Sequence, residues 1–365
     1  MKKLLTTLLL SLMLFAIAAC QKESANDFEY VENNRKITIT GYTGESKDVV
    51  IPERINRRPV TVLEDDAFLF KELTSVIIPD SVRIIGNNTF YGNKLTSLNI
   101  PDSVIYIGIH AFSWNQLTSL NIPDSVEFIG DYAFLGNKLT YLSLPENAEI
   151  ELNAFNVFIF DYYNKSGKQA NTFDIAFEVY DDFNIAILNN SYAEIISYNS
   201  RNKEAVIPDM INNCPVIAIG YSSFFGHELT NITIPDTVTI IGPWAFGGNR
   251  LSSVTIPDSV AIIGDSAFRE SEIKNVYIPN SVTVIGNNAF THNQLTSIIL
   301  PNSVIAIGEG AFTYNELTNI IFPKSIVSIG HFAFMYNQLT NVTIPDSIVD
   351  LGFGVFDANV TLTIE

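Results

Sequence analysis

Residues 100–121 read IPDSVIYIGIHAFSWNQLTSLN. They are followed at once by IPDSVEFIGDYAFLGNKLTYLS (122–143) and preceded by IPDSVRIIGNNTFYGNKLTSLN (78–99). A sentence of 22 residues repeated at fixed period signals a stacked-repeat architecture. Prolines keep the beat at Pro79, Pro101, Pro123 and Pro145, then at Pro235, Pro257, Pro279, Pro301, Pro323 and Pro345. Phenylalanines keep it too: Phe68, Phe90, Phe112 and Phe134, then Phe246, Phe268, Phe290, Phe312, Phe334 and Phe356.

One unit shows why such a sentence folds. Leu95, Leu98 and Ile100 are apolar, with polar Ser97 and Asn99 between them. Over Ser97 to Ile100 this is period two, which predicts a strand with one buried face. Pro101-Asp102-Ser103 ends it, because proline lacks an N–H and aspartate folds back on local backbone. Val104 and Ile107 point inward from a second, shorter extended piece. Gly108 marks a turn, Ala111 and Phe112 plug the core, and Asn115 leads into the next strand. One unit alone buries too little to offset its backbone entropy, so units must stack. The predicted fold is a repeat solenoid: 22-residue coils with a parallel β-sheet face and short extended pieces or turns on the other.

The module occurs twice. Pro52 to Pro79 and Pro208 to Pro235 are both 27 residues apart, and each stretch holds an extra proline, Pro59 or Pro215. Upstream of each lies an alternating, hairpin-like segment: FEYVENNRKITITGY, bending at Asn33-Asn34, and FNIAILNNSYAEIISY, bending at Asn189-Asn190. The first array decays after Leu144. An exit strand, a Lys165-Ser166-Gly167 turn and a return follow. The sequence ends on NVTLTIE, read as a last strand with no anchor or sorting domain behind it.

The first residues read as an export signal: Lys2 and Lys3, an apolar run, then Ile17-Ala18-Ala19-Cys20. That ending resembles a bacterial lipobox, so cleavage would leave Cys20 as a lipid-bearing N-terminus that tethers the chain to a membrane. Gln21, rather than an aspartate, fits outer-membrane sorting in a two-membrane bacterium. The expected organisation is a signal peptide over 1–19 and a tether over 20–27. A first capped array covers 28–163, a linker 164–171 and a second capped array 172–365. The other cysteine, Cys214, has no partner left, so no disulfide framework exists.

A chain that is 47% apolar and 16% charged is globular, and its net charge of −18 repels nucleic acid and anionic membrane surfaces. Little reads as chemistry. His110, His227, His292 and His331 sit at different places in the repeat without a recurrent acid, and no phosphate loop, cysteine pair or zinc motif appears. Asp80, Asp102 and Asp124 with Glu146, and Asp236 with Asp258, form rows after the repeat prolines. Asn280 and Asn302 serve the same turn uncharged, so turn capping explains them better than a cation. Neither a metal nor a cofactor is expected, nor an enzyme.

Two sets of side chains look outward. Trp114, Tyr91, Tyr314 and Tyr336 follow the buried phenylalanines in the loop leaving the core. They suit an interface, or else shield the neighbouring coil. The second set stands two places before the repeat prolines. It reads Ile77, Asn99, Asn121, Ser143, then Thr233, Thr255, Tyr277, Ile299, Ile321, Thr343. Period two points this site away from the core, and most of its residues are small and polar. Tyr277, Ile299 and Ile321 break the rule together, over a stripe roughly 10 Å long at ordinary strand spacing. The same coils lose the acid after proline, to Asn280, Asn302 and Lys324. An apolar patch ringed by polar residues marks a candidate ligand-binding surface.

The pattern AF..N.LTSL.IPDSV..IG..AF resembles the BspA-like, Treponema pallidum-type leucine-rich repeat of bacterial surface lipoproteins, over nearly all of residues 45–360. The chain departs from it in two ways. The unit is one residue shorter, and asparagine (Asn93, Asn115, Asn137, Asn249, Asn293, Asn315, Asn337) stands where that family often has cysteine. An asparagine row would satisfy backbone groups between coils. The resemblance implies a membrane-anchored, non-enzymatic binding protein at the cell envelope, with a protein or glycan ligand and no nucleic acid. A structural scaffold or assembly subunit of the envelope is the other reading.

Overall fold

The computed structural model describes residues 25–146, 148–151, 154–155 and 172–365. The chain divides into two compact units, Met1–Asp174 and Ile175–Glu365, each a solenoid of stacked coils. Cys20 and the whole of the expected linker, 164–171, lie outside the described residues.

The repeat's apolar positions are its core. In the coil opening at Ile100, the side chains of Ile100, Val104, Ile107, Ala111, Phe112, Leu117 and Leu120 are all buried. The phenylalanines stack face to face along each unit. Phe68, Phe90, Phe112, Phe134 and Phe155 follow one another at 4.9, 5.2, 5.4 and 5.2 Å. Phe224 through Phe334 repeat this at 5.1, 5.3, 5.2, 5.4 and 5.3 Å. That step is close to the usual separation of hydrogen-bonded strands, about 4.8 Å, so ring stacking and backbone pairing share one period.

The shorter extended pieces form the more continuous sheet. Ile84–Ile85, Tyr106–Ile107, Phe128–Ile129 and Glu149–Ile150 pair in parallel, in register, behind Arg58–Leu63. In the second unit the same rail runs from Cys214–Ile219 through Ile240–Ile241, Ile262–Ile263, Val284–Ile285, Ala306–Ile307 and Ser328–Ile329 to Asp350–Leu351. Among the described residues, the strands before the prolines pair in shorter ladders. Asp48–Val50 pairs with Ser75–Ile77 and Ser253–Thr255 with Asn275–Tyr277, two coils each, and Ser119–Asn121 pairs with Tyr141–Ser143, which also takes Thr172–Asp174 in antiparallel. The strand expected over Ser97 to Ile100 is an extended segment outside any ladder. Proline supplies no N–H at one end and the asparagine corner closes the other. Only about three residues per coil remain to pair.

Three repeat positions have roles that differ from, or add to, the sequence reading. Gly108 was expected to mark a turn. It opens one, with Ala111 N–H donating to Gly108 O at 3.3 Å, and it is also a site of close approach: a Cβ there would lie 2.7 Å from Asn87 N and from Gly86 C in the preceding coil. The turn after proline closes through Val104 N–H to Pro101 O at 3.0 Å, and the serine makes its side-chain bond. Ser103 Oγ donates to Val82 O at 2.6 Å, and Ser259, Ser281, Ser325 and Ser347 repeat that link to the coil before. The carboxylates of Asp80, Asp102, Asp236 and Asp258 stay exposed, because proline has already set the turn. The asparagine row behaves as expected. Asn93 Nδ2 donates to Phe68 O and Phe90 O at 2.9 and 3.0 Å, while its Oδ1 accepts Leu73 N–H at 2.9 Å.

A pair of left-handed residues brackets the core phenylalanines. Two places before them stand Asp66, Asn88, His110 and Tyr132, then Ser222, Trp244, Ser266, Asn288, Gly310 and Phe332, all with φ between 52° and 61°. Two places after stand Phe70, Gly92, Trp114 and Gly136, then Gly226, Gly248, Glu270, His292, Tyr314 and Tyr336. The turned backbone aims alternate N–H groups at the next coil. Asn88, Phe90 and Gly92 donate to Ile109, Ala111 and Ser113 at 2.8, 2.8 and 3.0 Å.

Each array opens on a hairpin. Phe28–Asn33 pairs with Lys36–Tyr42, and the bend falls on Asn34-Arg35, one residue later than the sequence suggested. Phe183–Leu188 pairs with Tyr192–Tyr198 around Asn189-Asn190 as expected. The longer first coils hold a second, small hairpin: Arg54–Ile55 against Arg58–Leu63, and Met210–Ile211 against Cys214–Ile219. Cys214 is buried there as a free thiol. The closing segment Thr361–Ile364 pairs in parallel with Asn341–Ile344.

Candidate functional site

The three side chains singled out before the prolines project outward. Tyr277 is 56% exposed, Ile299 84% and Ile321 74%. Their chain neighbours Ile278, Ile298, Leu300, Ile320 and Phe322 are buried, so the alternation anchors the backbone while presenting the stripe. Thr255 and Tyr277 are direct partners in a parallel pair. Ile299 and Ile321 lie in extended segments without ladder bonds. Beside Ile321 opens a cavity of about 520 Å³, which Asn319, Lys324, Asn341, Thr343 and Asp346 help to line. The surface is therefore apolar along the stripe and polar at its edge, where Lys324 stands with Asp346 and Glu365.

A third column changes over neighbouring turns of the same coils. At the left-handed position after phenylalanine, Gly226, Gly248 and Glu270 give way to His292, Tyr314 and Tyr336. Their rings stack at 4.3 and 4.4 Å with interplanar angles of 7° and 16°, and all three are exposed. A side chain in left-handed backbone costs about 1–2 kcal/mol, a cost glycine avoids. The Tyr314 hydroxyl is held above the ordinary phenol range by partial desolvation, then by the charge and hydrogen bonding of Tyr336. His292 has no recurrent acid partner in the repeat. Its spacing of 22 from Tyr314 was the signal that placed it in an aromatic column.

The first-array candidates sit differently. The Trp114 ring lies over Gly136, whose Cβ would come within 2.9 Å of it. Tyr91 is half-buried, edge-on to Phe70 at 5.2 Å and to His110 at 5.7 Å. Both cover a neighbouring coil. The histidines are likewise occupied. His110 stacks on Tyr132 at 4.8 Å, with burial pulling its pKa down, and His331 Nδ1 accepts Phe353 N–H at 2.8 Å. Among the described residues no group of three or more His, Cys, Asp or Glu side chains is placed to hold a metal ion.

The model of the BspA-type leucine-rich repeat region matches residues 47–164, 217–313 and 283–364, well over half of the chain. No curated protein matches. Among solved structures, the leucine-rich repeat protein of T. pallidum is 27% identical, covering 49% of this chain and 86% of its own, with a TM-score of 0.45. A leucine-rich repeat protein from Bacteroides ovatus is 19% identical over 94% of this chain and 100% of its own, with a TM-score of 0.36. The pneumococcal vaccine antigen PcpA is 17% identical over 94% and 81%, with a TM-score of 0.32.

Proposed function

The chain belongs to the BspA-type leucine-rich repeat family, and we propose that it is a non-enzymatic binding protein of the bacterial cell envelope. In this reading Cys20 carries the lipid that holds it on a membrane, and the second array engages a protein or glycan ligand. The observation behind the binding surface is the coincidence of three columns. The stripe Tyr277, Ile299, Ile321 is exposed, the acids after proline are replaced by Asn280, Asn302 and Lys324, and His292, Tyr314 and Tyr336 form an exposed stack. A repeat maintained for folding alone has no need to change three surface columns over adjoining coils.

The test replaces Tyr277, Ile299 and Ile321 by threonine, the residue of the neighbouring coils at 255 and 343. Circular dichroism should be unchanged. Binding to whatever ligand the wild-type chain captures from envelope extracts or a glycan array should fall tenfold or more, about 1.4 kcal/mol. Undiminished binding moves the site off this stripe. Mass spectrometry of the membrane fraction tests the anchor, which requires an acylated Cys20 at the mature N-terminus.

A further inference from the structure

The left-handed column before the phenylalanines carries a side chain in Asn288 and Phe332, and between them stands Gly310 (φ 61°). A Cβ on Gly310 would come within 2.5 Å of Asn288 Oδ1. The glycine thus makes room for the Asn288 amide and, having no side chain of its own, leaves a notch beside it in the column. A cavity of about 350 Å³ occupies it, lined by Asn288, Glu309, Gly310, Thr313, Phe332, Met335 and Tyr336. Much of its polar lining is already engaged. Gly310 O accepts the Thr291 hydroxyl, and the Thr313 hydroxyl donates to Phe332 O. Gly310 N–H donates to His331 O at 2.8 Å. The carboxylate of Glu309, which is exposed, joins no ion pair among the described residues. What remains for a ligand is two aromatic rings, a thioether and an anion.

The same column shows what such a set takes. At Trp244, with small Ser266 next in the column, the chain fills the place itself. The Arg269 guanidinium lies over the Trp244 ring at 5.4 Å, and its Nε bonds Glu270 Oε1 at 3.0 Å. A planar cation satisfies ring and carboxylate together. The residues equivalent to Arg269 nearer the notch are Thr291, Thr313 and Met335, so that repeat position supplies no cation there. We infer that the Gly310 notch is a binding site for the guanidinium of an arginine side chain presented by a partner. The aliphatic stem would pass Met335, the plane would face Phe332 or Tyr336, and Glu309 would accept its N–H groups. The net charge of −18 favours the approach of such a ligand. The site shares Tyr336 with the aromatic column of the proposed surface but no residue with the Tyr277–Ile321 stripe, so failure of the threonine variant leaves it standing.

Met335 in the cavity wall provides the readout, with Met210 as internal control. The full chain, labelled with methyl-¹³C methionine, is titrated with Nα-acetyl-arginine amide at low ionic strength. The Met335 methyl resonance should move saturably while Met210 stays still. Nα-acetyl-citrulline amide, the neutral isostere, should bind at least tenfold more weakly. Glu309→Gln, a change at an exposed carboxylate, should weaken arginine by a similar factor. The inference is overturned if Met335 shows no saturable shift, or if citrulline binds as well as arginine. It is equally overturned if Glu309→Gln leaves arginine binding unaltered, since the notch would then be only an apolar dent.

Discussion

Asn315 Oδ1 accepts the backbone N–H of Leu295 at 3.1 Å, a residue twenty places earlier in the chain but in the adjacent coil. Its Nδ2 donates to Phe290 O and Phe312 O at 2.9 and 3.1 Å. One buried amide therefore serves three backbone groups at the corner where the coil leaves the phenylalanine stack. Asn315→Ala leaves the Leu295 N–H without a partner, at about 1–3 kcal/mol for a group that water cannot reach, while Phe290 O keeps the Asn293 amide and Phe312 O keeps the Asn337 amide. Urea denaturation should show a loss of about 1–3 kcal/mol. A loss below about 1 kcal/mol would mean that solvent takes over the amide's bonds.

Gly308 is held by its neighbour's backbone. A Cβ on it would sit 2.5 Å from Asn287 N and 2.6 Å from Gly286 C. Backbone cannot rotate away as a side chain can. Gly308→Ala should force two coils apart and cost about 1–3 kcal/mol or more, as overpacking does. Thermal melts of the variant should fall by several degrees. An unchanged melting temperature would show that the coils have slack at this rail.

Phe290 lies between Phe268 at 5.2 Å and Phe312 at 5.4 Å, nearly parallel to both. Its removal opens a cavity in a stack that cannot collapse, because the neighbouring rings are pinned by their own backbone ladders. Phe290→Ala should cost about 3–5 kcal/mol. Thr255→Ala, on the exposed side of its strand, should stay within about 0.5 kcal/mol. Equal effects would invert the assignment of the faces.

Those contrasts separate what the sequence makes legible from what it hides. Period, plug and core follow from residues that recur, such as Ala111-Phe112 and Ile107-Gly108, and their burial is what the pattern implies. The left-handed columns were not legible, because a shared backbone conformation is filled by Asp66, Asn88, His110, Tyr132 and Trp244, which have no chemistry in common. Nor was the work of Ser103, since Asp102 beside it is the commoner turn residue. The outward stripe was visible as a break in one column. The Gly310 notch was not, because it needs Asn288 and Phe332 to be neighbours across three coils.

Glu194 gives the chain a pH-dependent weak point. It stands in Tyr192–Tyr198 between Ala186 and Ala218 on the paired strands. It is almost wholly buried, packed against Gly220, and its Oε2 has no hydrogen-bond partner. Burial pushes its carboxyl well above the ordinary range. In the unfolded chain the same group ionises from about pH 4.3 upward. Between those two values the unfolded state has released a proton that the folded state retains. Stability from this site is therefore fully present at low pH and drains away as pH rises through the window. Glu194→Gln keeps the shape and removes the titration. Near about pH 4 the two proteins should unfold at similar urea concentrations. Toward about pH 8 the Gln variant should hold its stability better, the gap widening by up to about 1.4 kcal/mol per pH unit inside the window. Subtracting one curve from the other cancels the remaining carboxylates, which titrate in both. A gap that is flat with pH, or that closes as pH rises, would show an ionised and partnered Glu194 in the folded chain.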